Sequence, residues 1–166
     1  MAMCAIALGS NLGDSQAILE SALAALDRTA GIQLKARSSW YQTKALTLPD
    51  SPPQPDYLNG CALIATELEP PQVLQILQQI ETDFGRVRHQ RWDARTLDLD
   101  LLLFDDVVLR TAALEIPHPR MSDRAFVLVP LAEIAPDWIH PELNQSIAQL
   151  VQTLVQTIDT SDVQKL

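Results

Sequence analysis

The chain has 166 residues, 47% of them hydrophobic and 20% charged, with 12 Lys+Arg against 21 Asp+Glu and a formal net charge of −9. That length suits one domain over 1–166, with about 159–166 as a frayed tail, and the apolar fraction excludes a disordered chain. No apolar run reaches the ~18 residues of a membrane helix, and the acidity excludes a nucleic-acid backbone as the main partner.

Met1 to Ser10 carries no basic n-region and reads as a first strand over 3–8 rather than a signal peptide. Gly9-Ser10-Asn11-Leu12-Gly13-Asp14 follows. It lacks the G-K-[ST] ending of a phosphate loop and is read as a tight turn with a helix N-cap. Ile18, Leu19, Ala22, Leu23 and Leu26 recur at helical spacing, and Gly31 ends that helix. Ile32, Leu34, Ala36 and Trp40 predict one strand running to about Gln42. Four prolines between Pro49 and Pro55 make the next segment a loop. Tyr57 to Leu68 reads as a third strand.

Pro70-Pro71 opens a helix with Val73, Leu74, Leu77, Ile80 and Phe84 on its buried stripe and Gly85 as its stop. Leu97 to Phe104 is a strand, Asp105-Asp106 a turn, and Val107–Leu109 a short return. Asp123–Ile134 reads as a helix kinked or split at Pro130, and Asn144–Ile158 as the last helix. The order β-α-β-β-α-β with additions predicts an α+β fold, a ferredoxin-like sandwich with a mainly antiparallel sheet and flanking helices.

Cys4 and Cys61 lie in apolar stretches without metal-ligand spacing, and His89, His118 and His140 form no H-x-x-x-H pattern. Buried reduced thiols, no histidine-based zinc site and a cytoplasmic location are the expectations. With no heptad and no large apolar face, the chain is expected to be a monomer, with no nucleic acid and no membrane among its partners.

Four segments carry candidate chemistry. In Leu97-Asp98-Leu99-Asp100, alternation in a strand puts both carboxylates on one face, with Cβ atoms about 7 Å apart. The pair suits a hard divalent ion, and a solvated edge-strand face serves the spacing as well. Arg86, Arg88, Arg91 and Arg95 crowd just before that strand with Trp92 among them, making a local anion site on an acidic body. His118 stands between Pro117 and Pro119, with Arg124 and Phe126 following. Such a lone histidine also serves as a structural hydrogen bonder. The glycine-containing turn at 9–14 is the fourth.

Together these segments resemble the 6-hydroxymethyl-7,8-dihydropterin pyrophosphokinase family of folate biosynthesis, over nearly the whole chain to about Pro141. The resemblance rests on Gly9-Ser10-Asn11-Leu12, Tyr57-Leu58-Asn59, Pro117-His118, and the block from Arg91-Trp92 through Arg95-Thr96-Leu97-Asp98-Leu99-Asp100. It implies transfer of a pyrophosphoryl group from the co-substrate ATP to a reduced pterin alcohol, with release of AMP. It further implies that Asp98 and Asp100 bind two Mg²⁺ ions, and that Arg86, Arg88, Arg91, Trp92 and Arg95 form a mobile catalytic loop. Gln78, Glu81, His118 and Arg124 match residues lining the nucleotide site. Tyr57 and Phe126 match an aromatic pair that sandwiches the pterin, Asn59 the residue reading its edge, and Thr43 and Leu46 positions completing that pocket.

Two departures stand out. Asp93-Ala94 replaces the common Gly-Pro of the loop, and Lys44-Ala45 replaces a proline pair seen in some members. Two rival classes stay open on the residues alone. One is a two-metal nucleotidyltransferase attacking the α-phosphorus, and the other a ferredoxin-like module that binds nucleotide or metal without turnover.

Overall fold

The computed structural model describes residues 1–11, 14–43, 56–85, 97–157 and 163–166. In chain order its elements are β1 (Ala2–Ser10), α1 (Ser15–Arg28), β2 (Ile32–Arg37), β3 (Tyr41–Thr43), β4 (Tyr57–Thr66), α2 (Pro70–Asp83) and β5 (Asp98–Phe104). There follow β6 (Leu109–Arg110), β7 (Glu115–Ile116), α3 (Ala125–Ile134), β8 (Ile139–His140), β9 (Gln145–Ser146), α4 (Ile147–Thr157) and β10 (Gln164–Lys165).

β1 shows why the molecule has three layers. Its Cys4, Ile6 and Leu8 join one buried cluster with α1 and α2, while Ala5 and Ala7 join another with α3 and α4. A strand covered on both faces needs apolar residues at every position, and Met3 to Leu8 supplies them. β1 pairs antiparallel with β4 on one side and β5 on the other. The main sheet runs β10–β3–β4–β1–β5, with β2 also on β4. This is the ferredoxin-like arrangement with the expected antiparallel pairing, and α3 and α4 close the second face.

Both helix stops lie where the glycines predict them: Gly31 (φ 86°) and Gly85 (φ 82°) take the left-handed conformation just beyond α1 and α2. At the start of α2, Gln72 Oε1 accepts the Glu69 N–H at 2.8 Å, beside the two prolines. Leu74 and Phe84 are only half-buried on the predicted stripe, and the buried Glu81 replaces them there.

Several expectations need correction. Residues 32–42 form two strands, because the chain breaks at Ser38–Trp40. There Ser38 Oγ accepts the Cys61 N–H at 2.9 Å, and Trp40 crosses Gly60, where a Cβ would meet its ring at 2.5 Å. The crossing lets the Trp40 indole N–H donate to Glu20 Oε1 at 2.8 Å. The turn at 9–14 is also different: Gly9 and Ser10 belong to β1, and Asp14 sits at the N-cap without a side-chain capping bond.

The turn at Asp105-Asp106 is where it was expected, closed by the Val107 N–H on the Phe104 carbonyl at 3.0 Å, but the return at Val107–Leu109 is not onto β5. Asp105 takes φ 47° and receives the Met3 N–H of β1 on Oδ1 at 2.8 Å, and β6 pairs with β7. The discontinuity expected at Pro130 falls at the extended Arg124. A short 3-10 turn (Met121–Asp123) precedes it, and α3 runs through the buried proline. Asn144 (φ 55°) belongs to the turn of the β8–β9 hairpin, so α4 begins at Ile147. Of the tail expected over about 159–166, residues 159–162 lie outside the described residues; beyond them Gln164 and Lys165 pair with β3, and the Leu166 N–H reaches the Trp40 carbonyl at 3.0 Å.

Candidate active site

The sheet register builds the site. Tyr41 of β3, Asn59 of β4, Gly9 of β1 and Asp98 of β5 form one row across four strands. Cys61, Ala7 and Asp100 form the next. Residues opposed across antiparallel strands point to one face. Ala7 and Cys61 lie in the cluster under α3 and α4, so both rows face that way. Leu97, Leu99 and Leu101 pack on the α1–α2 side. Asp98 and Asp100 therefore project together from the α3 face, both half-buried.

Gly9 and Ala7, the smallest residues available, floor the space beside the two carboxylates. A Cβ at Gly9 would lie 2.7 Å from Asn59 Oδ1. The missing side chain is what lets the Asn59 amide lie over β1 toward Asp98. Asn59 is 8% exposed, and its Nδ2 donates to Thr43 Oγ1 at 3.0 Å, which orients the amide. Tyr57 opposes Thr43 on the same face.

α3 covers that face and presents Phe126 in its first turn. The Arg124 guanidinium lies over the Phe126 ring, 5.6 Å from its centroid. On the other side of β5, the carboxylate of Glu81 accepts the Leu99 N–H at 3.0 Å and so grips the backbone between the two aspartates. Gln78, one turn earlier on α2, is exposed, and its backbone carbonyl accepts the Thr82 hydroxyl at 3.0 Å.

His118 follows a cis Ile116–Pro117 bond, and its N–H bonds the Leu102 carbonyl at 2.9 Å. Its Nδ1 accepts the Arg120 N–H at 3.2 Å, which assigns the proton of the neutral ring to Nε2. Burial holds the imidazole below its usual pKa; the Asp100 carboxylate opposes that effect and the Arg124 charge adds to it. A neutral N–H donor thus stands among Asp100, Arg124 and a cleft of about 240 Å³ lined also by Ser122, His140 and Arg110. Arg86, Arg88, Arg91, Trp92, Arg95 and Leu46 lie outside the described residues.

Among the described residues no three or more His, Cys, Asp or Glu side chains gather as a metal site. Mg²⁺ asks for less: one or two carboxylates, with water and substrate phosphates completing the shell. Two hard oxygen donors on one face beside a glycine and an alanine fit it.

Both thiols are buried and free, as expected. Burial, aided by the Asp105 charge, pushes Cys4 up to about 12, and burial raises Cys61 further. Neither supplies a nucleophile. Among the described residues, no helix is long and apolar enough to cross a membrane.

His140 gives the molecule a pH dependence. Its Nδ1 accepts the N–H groups of Glu142 (3.2 Å) and Leu143 (3.1 Å), and burial, opposed by Glu142, lowers its pKa from the ordinary 6.5. The unfolded chain therefore takes up this proton first as pH falls, so stability declines below about 6.5. The Tm should be level from about pH 7.5 to 6.5 and then drop by several degrees towards pH 5. His118, also lowered by burial, acts in the same sense, so His140→Gln should reduce that drop without abolishing it, and a wild-type Tm that rises on acidification contradicts the assignment.

The model of the family 7,8-dihydro-6-hydroxymethylpterin-pyrophosphokinase matches residues 5–136, which include Gly9, Thr43, Tyr57, Asn59, Asp98, Asp100, His118, Arg124 and Phe126. The chain belongs to this family. A Synechocystis sp. member named 2-amino-4-hydroxy-6-hydroxymethyldihydropteridine pyrophosphokinase is 49% identical over 147 residues, covering 89% of this chain and 73% of its own. The Haemophilus influenzae protein of that name is 46% identical over 147 residues, covering 89% of each chain. Among solved structures, wild-type Plasmodium falciparum HPPK-DHPS superimposes with a TM-score of 0.77 at 14% identity, over 99% of this chain. This chain spans 46% of that longer one, and the likeness is one of fold.

Three residues that the sequence reading gave no place in the site border this face. Gly9, quoted for the resemblance, was expected in a turn, and Tyr41 and Glu133 carried no motif. The usable signal for Gly9 was its place inside a strand pattern, where glycine often marks a close approach.

Proposed function

We propose that this chain transfers the pyrophosphoryl group of ATP to the hydroxymethyl oxygen of 6-hydroxymethyl-7,8-dihydropterin and releases AMP, within tetrahydrofolate biosynthesis. The observation that carries this reading is the Asn59–Gly9–Asp98 row. Two strand spacings, ~10 Å, separate an amide suited to a heterocycle's edge from a carboxylate suited to a cation. Between them the floor is a glycine. That leaves room for a flat bicycle with its hydroxymethyl arm aimed at Asp98.

Tyr57 and Phe126 are the two aromatic faces for the pterin. Asn59, with one N–H held by Thr43, keeps its Oδ1 and second N–H for the ring's donor–acceptor edge. Asp98 and Asp100 hold Mg²⁺, which supplies charge neutralisation to the triphosphate and acidity to the substrate hydroxyl. His118 donates its Nε2–H to a phosphate oxygen, Arg124 adds positive charge, and Gln78 and Glu81 border the nucleotide. Arg86, Arg88, Arg91, Trp92 and Arg95 close on the phosphates, and Leu46 completes the pterin pocket. Arginine forks suit this task because they bind phosphate oxygens bidentately and never lose their charge.

In the reaction the hydroxymethyl oxygen bonds to the β-phosphorus, the bond from that phosphorus to the AMP oxygen breaks, and the hydroxyl proton leaves. Alignment and charge stabilisation carry the rate. Incubation with Mg-ATP and the pterin alcohol should yield AMP and pterin pyrophosphate in equal amounts. Release of free pyrophosphate with an adenylylated product, or binding without product, overturns the proposal.

A further inference from the structure

Glu133 stands on α3 two turns after Phe126, ~10 Å along the helix. Its carboxylate accepts three hydrogen bonds from the β2–β3 edge: the Ser39 N–H at 2.9 Å, the Ser39 hydroxyl at 3.0 Å and the Tyr41 hydroxyl at 2.6 Å. Tyr41 is buried and is the direct cross-strand neighbour of Asn59. Two residues further, Thr43 orients the Asn59 amide. On the other side of β3, at the edge of the sheet, Lys165 of β10 is the register partner of Tyr41.

One side chain thus ties the helix that carries Phe126 to the strand that carries Thr43. These are the separate walls of the pterin pocket; beside this tie, the Cys61 thiol of β4 makes a single longer contact with the Val127 carbonyl of α3 at 3.5 Å. We infer that Glu133 is a positioning residue for the pterin substrate, fixing the spacing between Phe126 on α3 and the Tyr41–Asn59–Thr43 group on the sheet. The inference rests on the pterin reading of the site.

The brace is chemically steady. Burial alone would raise the Glu133 pKa, but the bonds from Tyr41 and Ser39, with the Lys165 charge, outweigh it and hold the carboxyl below its usual value. Burial and the Glu133 partner push Tyr41 up to about 12, so its hydroxyl remains a donor throughout the working range. A short O–H···O⁻ contact is among the stronger hydrogen bonds. Glu133 itself is exposed, so solvent screens its charge and the direct bonds do the holding.

The test is steady-state kinetics with Mg-ATP and the pterin alcohol on wild type, Glu133→Gln, Tyr41→Phe and the double variant. The pterin KM should rise about five- to tenfold in each single variant, the loss of about one hydrogen bond to a charged group. The ATP KM should stay within about twofold. The double variant should be no worse than the worse single one, because the two groups act as a unit. An unchanged pterin KM in Tyr41→Phe, equal losses toward both substrates, or additive effects overturn the inference while an active wild type leaves the function standing. A wild type that does not turn over the pterin removes the function and the inference together. Should Glu133→Gln fold poorly, Tyr41→Phe removes one hydroxyl without disturbing the packing and decides the matter alone.

Discussion

Replacing Asp98 or Asp100 with asparagine should lower kcat by about a thousandfold or more while the protein stays folded. Metal-borne charge stabilisation at a phosphoryl group contributes several kcal/mol, and each 1.36 kcal/mol is a factor of ten in rate. Asparagine keeps the shape and removes the anionic oxygen that would hold the proposed cation. The fold is indifferent because both side chains are half-buried on β5, while the alternate leucines bury against α1 and α2. Two like charges on one strand face also repel, so neutralising one should cost less than ~1 kcal/mol of stability. Magnesium with ATP should raise the wild-type Tm by mass action, and this shift should vanish in both variants. Near-normal turnover in either one would refute the assignment of the pair.

The parts of this molecule that were legible in the sequence are those written by local chemistry. The apolar stretch of β1, the stripe Leu19–Leu26 on α1, the paired prolines opening α2 and the glycine stops at 31 and 85 each follow from backbone preference and burial within a few residues. The alternation of leucine and aspartate in β5 likewise told which residues share a face. It did not tell which face, or who stands beside whom.

Gly9 and Asn59 are neighbours because β1 and β4 pair in one register out of several that keep the same faces buried. Periodicity reports the face of a strand, and register is a property of two strands far apart in sequence. The break at Ser38–Trp40 has the same origin, since it depends on Gly60 leaving a hollow that Trp40 crosses. The end strand β10, with its polar sequence, carries no strand signal at all. Its pairing comes from the open edge that β3 presents. Pro130 misled in the opposite direction: the proline is the sixth of the ten residues of α3, which runs through it, and the extended backbone at Arg124 supplies the break.

Gly9→Ala should reduce kcat/KM for the pterin by about a hundredfold, the largest effect expected from adding a single methyl group to this chain. The added Cβ would come to 2.7 Å from Asn59 Oδ1, with the Leu58 carbonyl at 3.8 Å. The methyl has no room, and the backbone of a central strand bonded on both sides cannot retreat. Asn59 must swing instead, and swinging breaks its 3.0 Å bond to Thr43 and misdirects the amide. A reading group that leaves its own buried partners unmatched discriminates by factors far beyond those of apolar contact. ATP affinity should change by no more than about twofold, since the residues proposed for the nucleotide, Gln78, Glu81, His118 and Arg124, lie on α2 and the segment leading into α3. Overpacking should also cost about 1–3 kcal/mol of stability.

Gly31→Ala separates the two effects. Its residue has φ 86° and its new Cβ would press on Leu68 at 3.1 Å, at the end of α1. That variant should lose comparable stability and keep the wild-type pterin KM. If Gly9→Ala turned over the pterin as well as Gly31→Ala does, Asn59 would not be the group that reads the ring, and the row across β4, β1 and β5 would be packing alone.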